Sequence, residues 1–162
     1  MKIIYCSLLF LLFAACNTVG DDTDQQQQAQ INLLKKQLSR SYRPGMGEFM
    51  LGIQMHHEKL WFAGQARNWL LADFEIDEIE EAINNIKTYN ADRYEVNSIS
   101  MIEPDIDSVN NAIINKDTAM FRSAYIQLTN TCNGCHFATR HGFNTIKIPD
   151  TPPVSDQAFK IQ

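Results

Sequence analysis

The sequence predicts an all-α fold, a four-helix bundle whose last helix carries the chain's chemistry, and three observations predict it. In four successive segments apolar residues recur at steps of three and four, the spacing that lines one face of a helix. Capping and helix-breaking residues separate these segments. No stretch alternates polar and apolar residues long enough to make a strand, and no internal repeat marks a solenoid or propeller.

Four regions follow from composition: 1–15, a signal segment; 16–42, a tether with a short helix; 43–143, the helical domain; and 144–162, an extended surface tail containing Pro149, Pro152 and Pro153. After Lys2 the chain is apolar from Ile3 to Ala15, too short to span a bilayer and shaped like a secretory signal. Its end, Leu12-Phe13-Ala14-Ala15-Cys16, resembles the lipobox of bacterial lipoproteins, although Phe13 departs from the usual small aliphatic residue. That resemblance implies a lipid on Cys16 and a periplasmic, membrane-anchored protein. Asn17 to Gln30, with Asp21, Asp22, Asp24 and four consecutive glutamines, reads as a solvated tether. Ile31, Leu34 and Leu38 predict a short helix from Ile31 to Ser39, before Arg43-Pro44-Gly45 breaks the chain.

In the domain, Met46, Met50, Ile53, His57, Leu60 and Gly64 form one stripe of a helix from Met46 to Gly64. Asn68 is the predicted N-cap of a second helix, Trp69 to Tyr89, with Ile76, Ile79, Ile83 and Ile86 inward and an acidic run from Asp73 to Glu81 on the solvated side. Tyr89 to Glu103 is an irregular connection. Pro104 suits the first turn of a third helix, Asp105 to Asn115, with Ile106, Val109, Ile113 and Ile114 inward. Asp117 caps a fourth helix, where Phe121, Ala124, Tyr125, Leu128 and Cys132 keep helical spacing.

That helix leads into Cys132-Asn133-Gly134-Cys135-His136, the C-x-x-C-H pattern by which c-type haem is attached. Two thiols form thioethers with the two haem vinyl groups, and the adjacent imidazole binds iron; on a helix all three reach one face. A C-x-x-C pair alone also fits half a zinc site or a redox dithiol. The chain has no second C-x-x-C or H-x-x-x-H to complete zinc, and no βαβ setting for a dithiol. Cysteine use is consistent with one covalent haem: Cys6 leaves with the signal, Cys16 takes lipid, and Cys132 and Cys135 take the cofactor.

Without residues 1–15 the chain keeps 147 of 162 residues, enough for one domain, and 13 basic against 19 acidic residues, a formal charge of −6. That balance argues against nucleic acid as a partner, and no basic amphipathic patch suits anionic lipid, so membrane contact should come through Cys16.

A haem motif on the last helix of an exported four-helix chain resembles the cytochrome c-prime class, over roughly Arg43 to Gly142. Small soluble cytochromes c have the reverse order, with cysteines near the N-terminus. The resemblance implies a haem-binding role for Arg140, four residues after His136, and a first helix packed over the distal face. It implies Met50 as sixth ligand, as in the low-spin members, and a homodimer through the first two helices. The stretch His56 to Gly64 departs from the class and leaves His57 or His56 as alternative distal ligands. Met50 and His57 lie about 10 Å apart along the helix axis, so one iron cannot take both.

With six-coordinate iron the protein is a monohaem electron carrier serving redox partner proteins, not an enzyme. With an open distal site it binds or senses a diatomic gas, Trp61, Phe62 and the methionines lining the pocket. A peroxidase would need a distal acid/base histidine, for which His56 and His57 are the only sequence support.

Overall fold

The computed structural model describes residues 19–41 and 44–161; the signal segment and Cys16 lie outside the described residues. The chain divides into two units, Met1–Arg43 and Pro44–Gln162.

In the first unit, helix α1 runs Val19–Ser41. The expected tether is therefore helical from Val19, not from Ile31. Glutamine and alanine are good helix formers, so a segment with little apolar area still propagates a helix. Ile31, Leu33, Leu34 and Leu38 are exposed on it. No described helix is long and apolar enough to cross a membrane.

The second unit comprises α2 (Met46–Gln65), α3 (Trp69–Tyr89), a 3-10 helix (Tyr94–Ile102), α4 (Glu103–Ile114) and α5 (Thr118–Ala138). No strand occurs among the described residues. The expected caps are made: Asn68 Oδ1 accepts from the Leu71 amide at 3.3 Å, and Asp117 Oδ1 accepts from the Ala119 and Met120 amides at 2.9 Å. Pro104 stands in the first turn of α4, where its missing N–H costs nothing.

Three helices end alike. Arg67, Lys116 and Arg140 adopt φ of 59°, 52° and 64° just beyond α2, α4 and α5. In each case the amides of that residue and the next return to the last helical turn, as in Arg67 to Gly64 O and Asn68 to Ala63 O, both about 3 Å. A left-handed cation is disfavoured by its Cβ but interacts well with the negative end of the helix dipole.

α2 packs on α3, α3 on α4, α4 on α5, and α5 returns to α2. The core contains Leu60, Ile76, Ile79, Ile86, Val109, Phe121, Tyr125 and Leu128, and the α3 isoleucine stripe is buried as its spacing predicts. Ile114 is exposed rather than inward, because α4 ends there and turns to Asp117. Glu75, inside the acidic run expected to be solvated, is fully buried; its Oε2 lies 2.7 Å from His56 Nδ1 on α2, a partner that removes the need for solvent on that side.

The tail after α5 has no regular structure, as expected, but it is not merely a surface tail. Ile148 and Phe159 pack against the core, Phe159 with its ring 5.6 Å from Phe62.

Gly64 sets the α2–α5 approach. A Cβ built there would lie 2.1 Å from the Phe121 ring. Gly64→Ala should therefore cost about 1–3 kcal/mol of unfolding free energy through overpacking. Gly52, also inside α2, has nothing within 4 Å of such a Cβ; Gly52→Ala should gain about 0.5–1 kcal/mol. Urea unfolding of the two variants beside the parent checks both signs.

Candidate functional site

A cavity of about 290 Å³ opens between α2, the 3-10 helix and the end of α5. Cys132, Cys135 and His136 line it from α5, Met50, Ile53 and His57 from α2, and Ile99 and Ile102 from the 3-10 helix. A second compartment of about 210 Å³ shares Met50, Ile99, Cys135 and His136 with the first and adds Arg93, Glu95, Thr139 and His141. The lining thus passes from apolar to charged. Arg93 forks onto Glu95, Nη2 to Oε1 at 2.7 Å and Nε to Oε2 at 3.2 Å, and this bond holds the Glu95 carboxyl below its ordinary range.

The motif residues share one helix face, as the spacing requires. Burial pushes the Cys132 thiol up to about 12 and also raises Cys135, so both are neutral thiols near pH 7. They are not joined in a disulfide. His136 Nδ1 stands 2.6 Å from the Asn144 carbonyl oxygen. A carbonyl can only accept, so Nδ1 carries the proton and Nε2 keeps its lone pair for a ligand bond. Asn144 is held in turn: its amide donates to His141 O at 2.8 Å, and the His141 amide donates to His136 O at 2.6 Å.

The three distal candidates separate. Met50 lines both compartments, and its thioether is a neutral soft donor. His56 lines neither; it faces α3, bonded to Glu75 and 3.8 Å from Glu78 Oε2. Its ligand role is not supported because a buried carboxylate holds it elsewhere. His57 borders the cavity but is 3% exposed, and both ring nitrogens are engaged: Nε2 with Thr129 Oγ1 at 2.9 Å and Nδ1 with the Tyr125 hydroxyl at 3.0 Å.

That network is short of hydrogens. The Tyr125 hydroxyl also reaches His57 O at 2.8 Å, and the Thr129 hydroxyl reaches Tyr125 O at 2.9 Å. A neutral imidazole and two hydroxyls bring three hydrogens to these four contacts. Protonation would supply the fourth, but burying the charge costs more, and burial lowers the His57 pKa to about 4.

Arg140 lines neither compartment. It is exposed and occupies the left-handed position that terminates α5. Trp61 and Phe62, expected around an open gas pocket, are also absent from the lining: Trp61 is buried with its ring 4.8 Å from Tyr125, and Phe62 meets Phe159. Both belong to the ordinary core.

The residues that sequence reasoning missed sit in the connection and tail. Ile99 and Ile102 belong to a 3-10 helix in which Val96, Ile99 and Ile102 recur every third residue, a readable signal of that repeat. Asn144 and Ile146 come from the tail, where half-buried Ile146 and Ile148 alternate with exposed Thr145 and Lys147.

No protein-family model, curated protein or solved structure matches this chain. Among the described residues no group of three or more His, Cys, Asp or Glu side chains forms a metal cage. What the cavity offers is two thiols, one imidazole nitrogen and one thioether around an apolar space. That donor set fits a haem held by thioethers and two axial ligands.

The His57 shift predicts a pH dependence. Below about 6.5 the unfolded chain takes up a proton that the folded chain refuses until about pH 4. Stability should fall across that window as pH falls, by about 3 kcal/mol in all. Urea midpoints at pH 7 and 4.5 should differ in the parent, and the His57 share of that difference should vanish in His57→Gln.

Proposed function

We propose that this protein is a monohaem c-type cytochrome, a four-helix bundle of the cytochrome c-prime class, exported and tethered by lipid on Cys16, that carries electrons between redox partner proteins. The observation that carries this reading is His136. It lies in the same cavity wall as Cys132 and Cys135, with Nδ1 committed to the Asn144 carbonyl and Met50 lining the same cavity from α2. The cyclic pairing of α2, α3, α4 and α5 supports the bundle. Exposed Leu51, Met55, Leu70 and Phe74 on α2 and α3 suit a dimer through the first two helices.

Bound haem supplies an iron that exchanges one electron without bond rearrangement. The chain supplies the constraints. Cys132 and Cys135 would hold the macrocycle through thioethers, and His136 and Met50 would supply the ligands to its iron. Ile53, Ile83, Ile99 and Ile102 give the larger compartment an apolar lining. Arg93, forked onto Glu95, and His141 line the second compartment, where the haem carboxylates would find N–H donors. A thioether and an imidazole as the two iron ligands would favour the reduced form and raise the potential.

The carrier reading is favoured over gas binding because Met50 lines the cavity and Trp61 and Phe62 do not; the engaged ring nitrogens of His57 count instead against a histidine as sixth ligand and against a peroxidase. Haem should stay with the chain after denaturation and be lost from a Cys132→Ser, Cys135→Ser double variant. Ferric and ferrous absorbance spectra should be low-spin and unmoved by carbon monoxide, and Met50→Ala should turn the iron high-spin and gas-binding. A parent protein that takes up carbon monoxide at once would replace the carrier by the gas-binding reading. Independently, Cys16→Ser should release the protein from membranes on fractionation, and full retention would remove the lipid tether.

A further inference from the structure

The carboxamide of Asn133 captures both backbone groups of one tail residue. Its Nδ2 donates to Ile146 O at 2.8 Å, and its Oδ1 accepts from the Ile146 amide at 2.8 Å. A side chain that meets both the N–H and the C=O of one residue fixes the position and the rotation of that segment together. Ile146 is two residues from Asn144, whose carbonyl receives the His136 Nδ1 proton at 2.6 Å. The turn is closed from the other side by the Asn144 amide on His141 O and the His141 amide on His136 O.

Asparagine is a poor residue for a helix interior, because its short amide competes for backbone partners. Here it stands inside α5, and its amide is spent on the tail instead. The two cysteines and the histidine of the motif have roles of their own; Asn133 supplies the tie between the motif and the chain that follows it.

We propose that Asn133 is a positioning residue for His136: by clamping Ile146 it holds the Asn144 carbonyl against Nδ1 and so sets the orientation and basicity of the axial imidazole. This rests on His136 being the iron ligand, as proposed above. A strongly accepting carbonyl gives the imidazole more anionic character, which favours the ferric form. Without the clamp the carbonyl is held by the turn and by the core packing of Ile148 and Phe159 further along; water then competes for Nδ1, and the midpoint potential rises.

The test compares the full chain with Asn133→Ala, which loses both bonds, and Asn133→Asp, which keeps the acceptor for the Ile146 amide but not the donor. Three quantities are read: covalent haem on the denatured protein, hydrogen exchange of the Ile146 amide, and midpoint potential. All three proteins should hold haem. Asn133→Ala should exchange the Ile146 amide faster and shift the potential upward, with Asn133→Asp between. Faster exchange with an unmoved potential would make the clamp structural only and overturn the proposal, as would unchanged exchange. If Asn133→Ala does not attach haem, Asn133→Asp decides by the same two readings. A parent chain without covalent haem would instead sink the cytochrome reading. The clamp is then read from the ¹⁵N shifts of the His136 ring in the haem-free chain: a single Nδ1–H tautomer lost in Asn133→Ala supports it, and mixed tautomers in the parent overturn it.

Discussion

His57 bridges α2 to α5 at the buried side of the cavity, and the placement of the other wall residues depends on that bridge. Its ring lies 4.5 Å from the Tyr125 ring, nearly parallel to it, with both nitrogens turned to hydroxyls of α5. Toward the C-terminus of α2, Gly64 lets Phe121 approach where any Cβ would clash. These contacts fix how far α2 stands from α5, and hence the distance across which Met50 faces the motif. A buried polar bridge with too few hydrogens is a costly way to join two helices unless every partner is held in place. Here each hydroxyl has a backbone carbonyl as a second acceptor, so the network keeps three of its four contacts whichever nitrogen carries the proton.

The same bridge makes chemical sense of two adjacent histidines. His56 and His57 point to different sides of α2, one to a buried carboxylate on α3 and one to hydroxyls on α5. Each is tied to a neighbouring helix, and together they link α2 to both. Metal-binding residue types therefore serve as cross-links, and the thioether of Met50, which makes no such bond, is the donor left to the cavity.

The helices were legible in the sequence because their ends are marked by local chemistry. Asn68 and Asp117 bond amides within three residues of themselves, and their place just before an apolar-periodic run identifies them as caps. Likewise the C-x-x-C-H spacing fixes a common face without knowledge of the rest. What was not legible depends on partners far along the chain. Glu75 is buried because His56, nineteen residues earlier, meets it, and nothing in an acidic run reveals which carboxylate turns inward. The cavity wall opposite the motif comes from a 3-10 helix, whose three-residue repeat is short and easily read as a loop. Arg140, to which the family resemblance gave a haem-binding role, stands exposed at the left-handed terminus of α5 and outside both compartments.

Placing the motif at the end of the last helix carries a structural requirement. An imidazole that is to offer one nitrogen to a ligand bond needs an acceptor for the other, and among the described residues no helix follows α5 to provide one. The chain solves this locally. α5 closes on Thr139 and Arg140, the turn at His141 reverses direction, and Asn144 returns its carbonyl to His136. The segment stays there because Asn133 holds Ile146 and because Ile148 and Phe159 beyond it pack on the core. The segment that composition marks as an extended, proline-containing surface tail is thus part of the candidate site, and the region that positions the His136 imidazole spans the motif and the residues immediately after it. Truncation near Gly142 would leave both cysteines and His136 in the chain while removing the group that fixes which nitrogen can bind a metal.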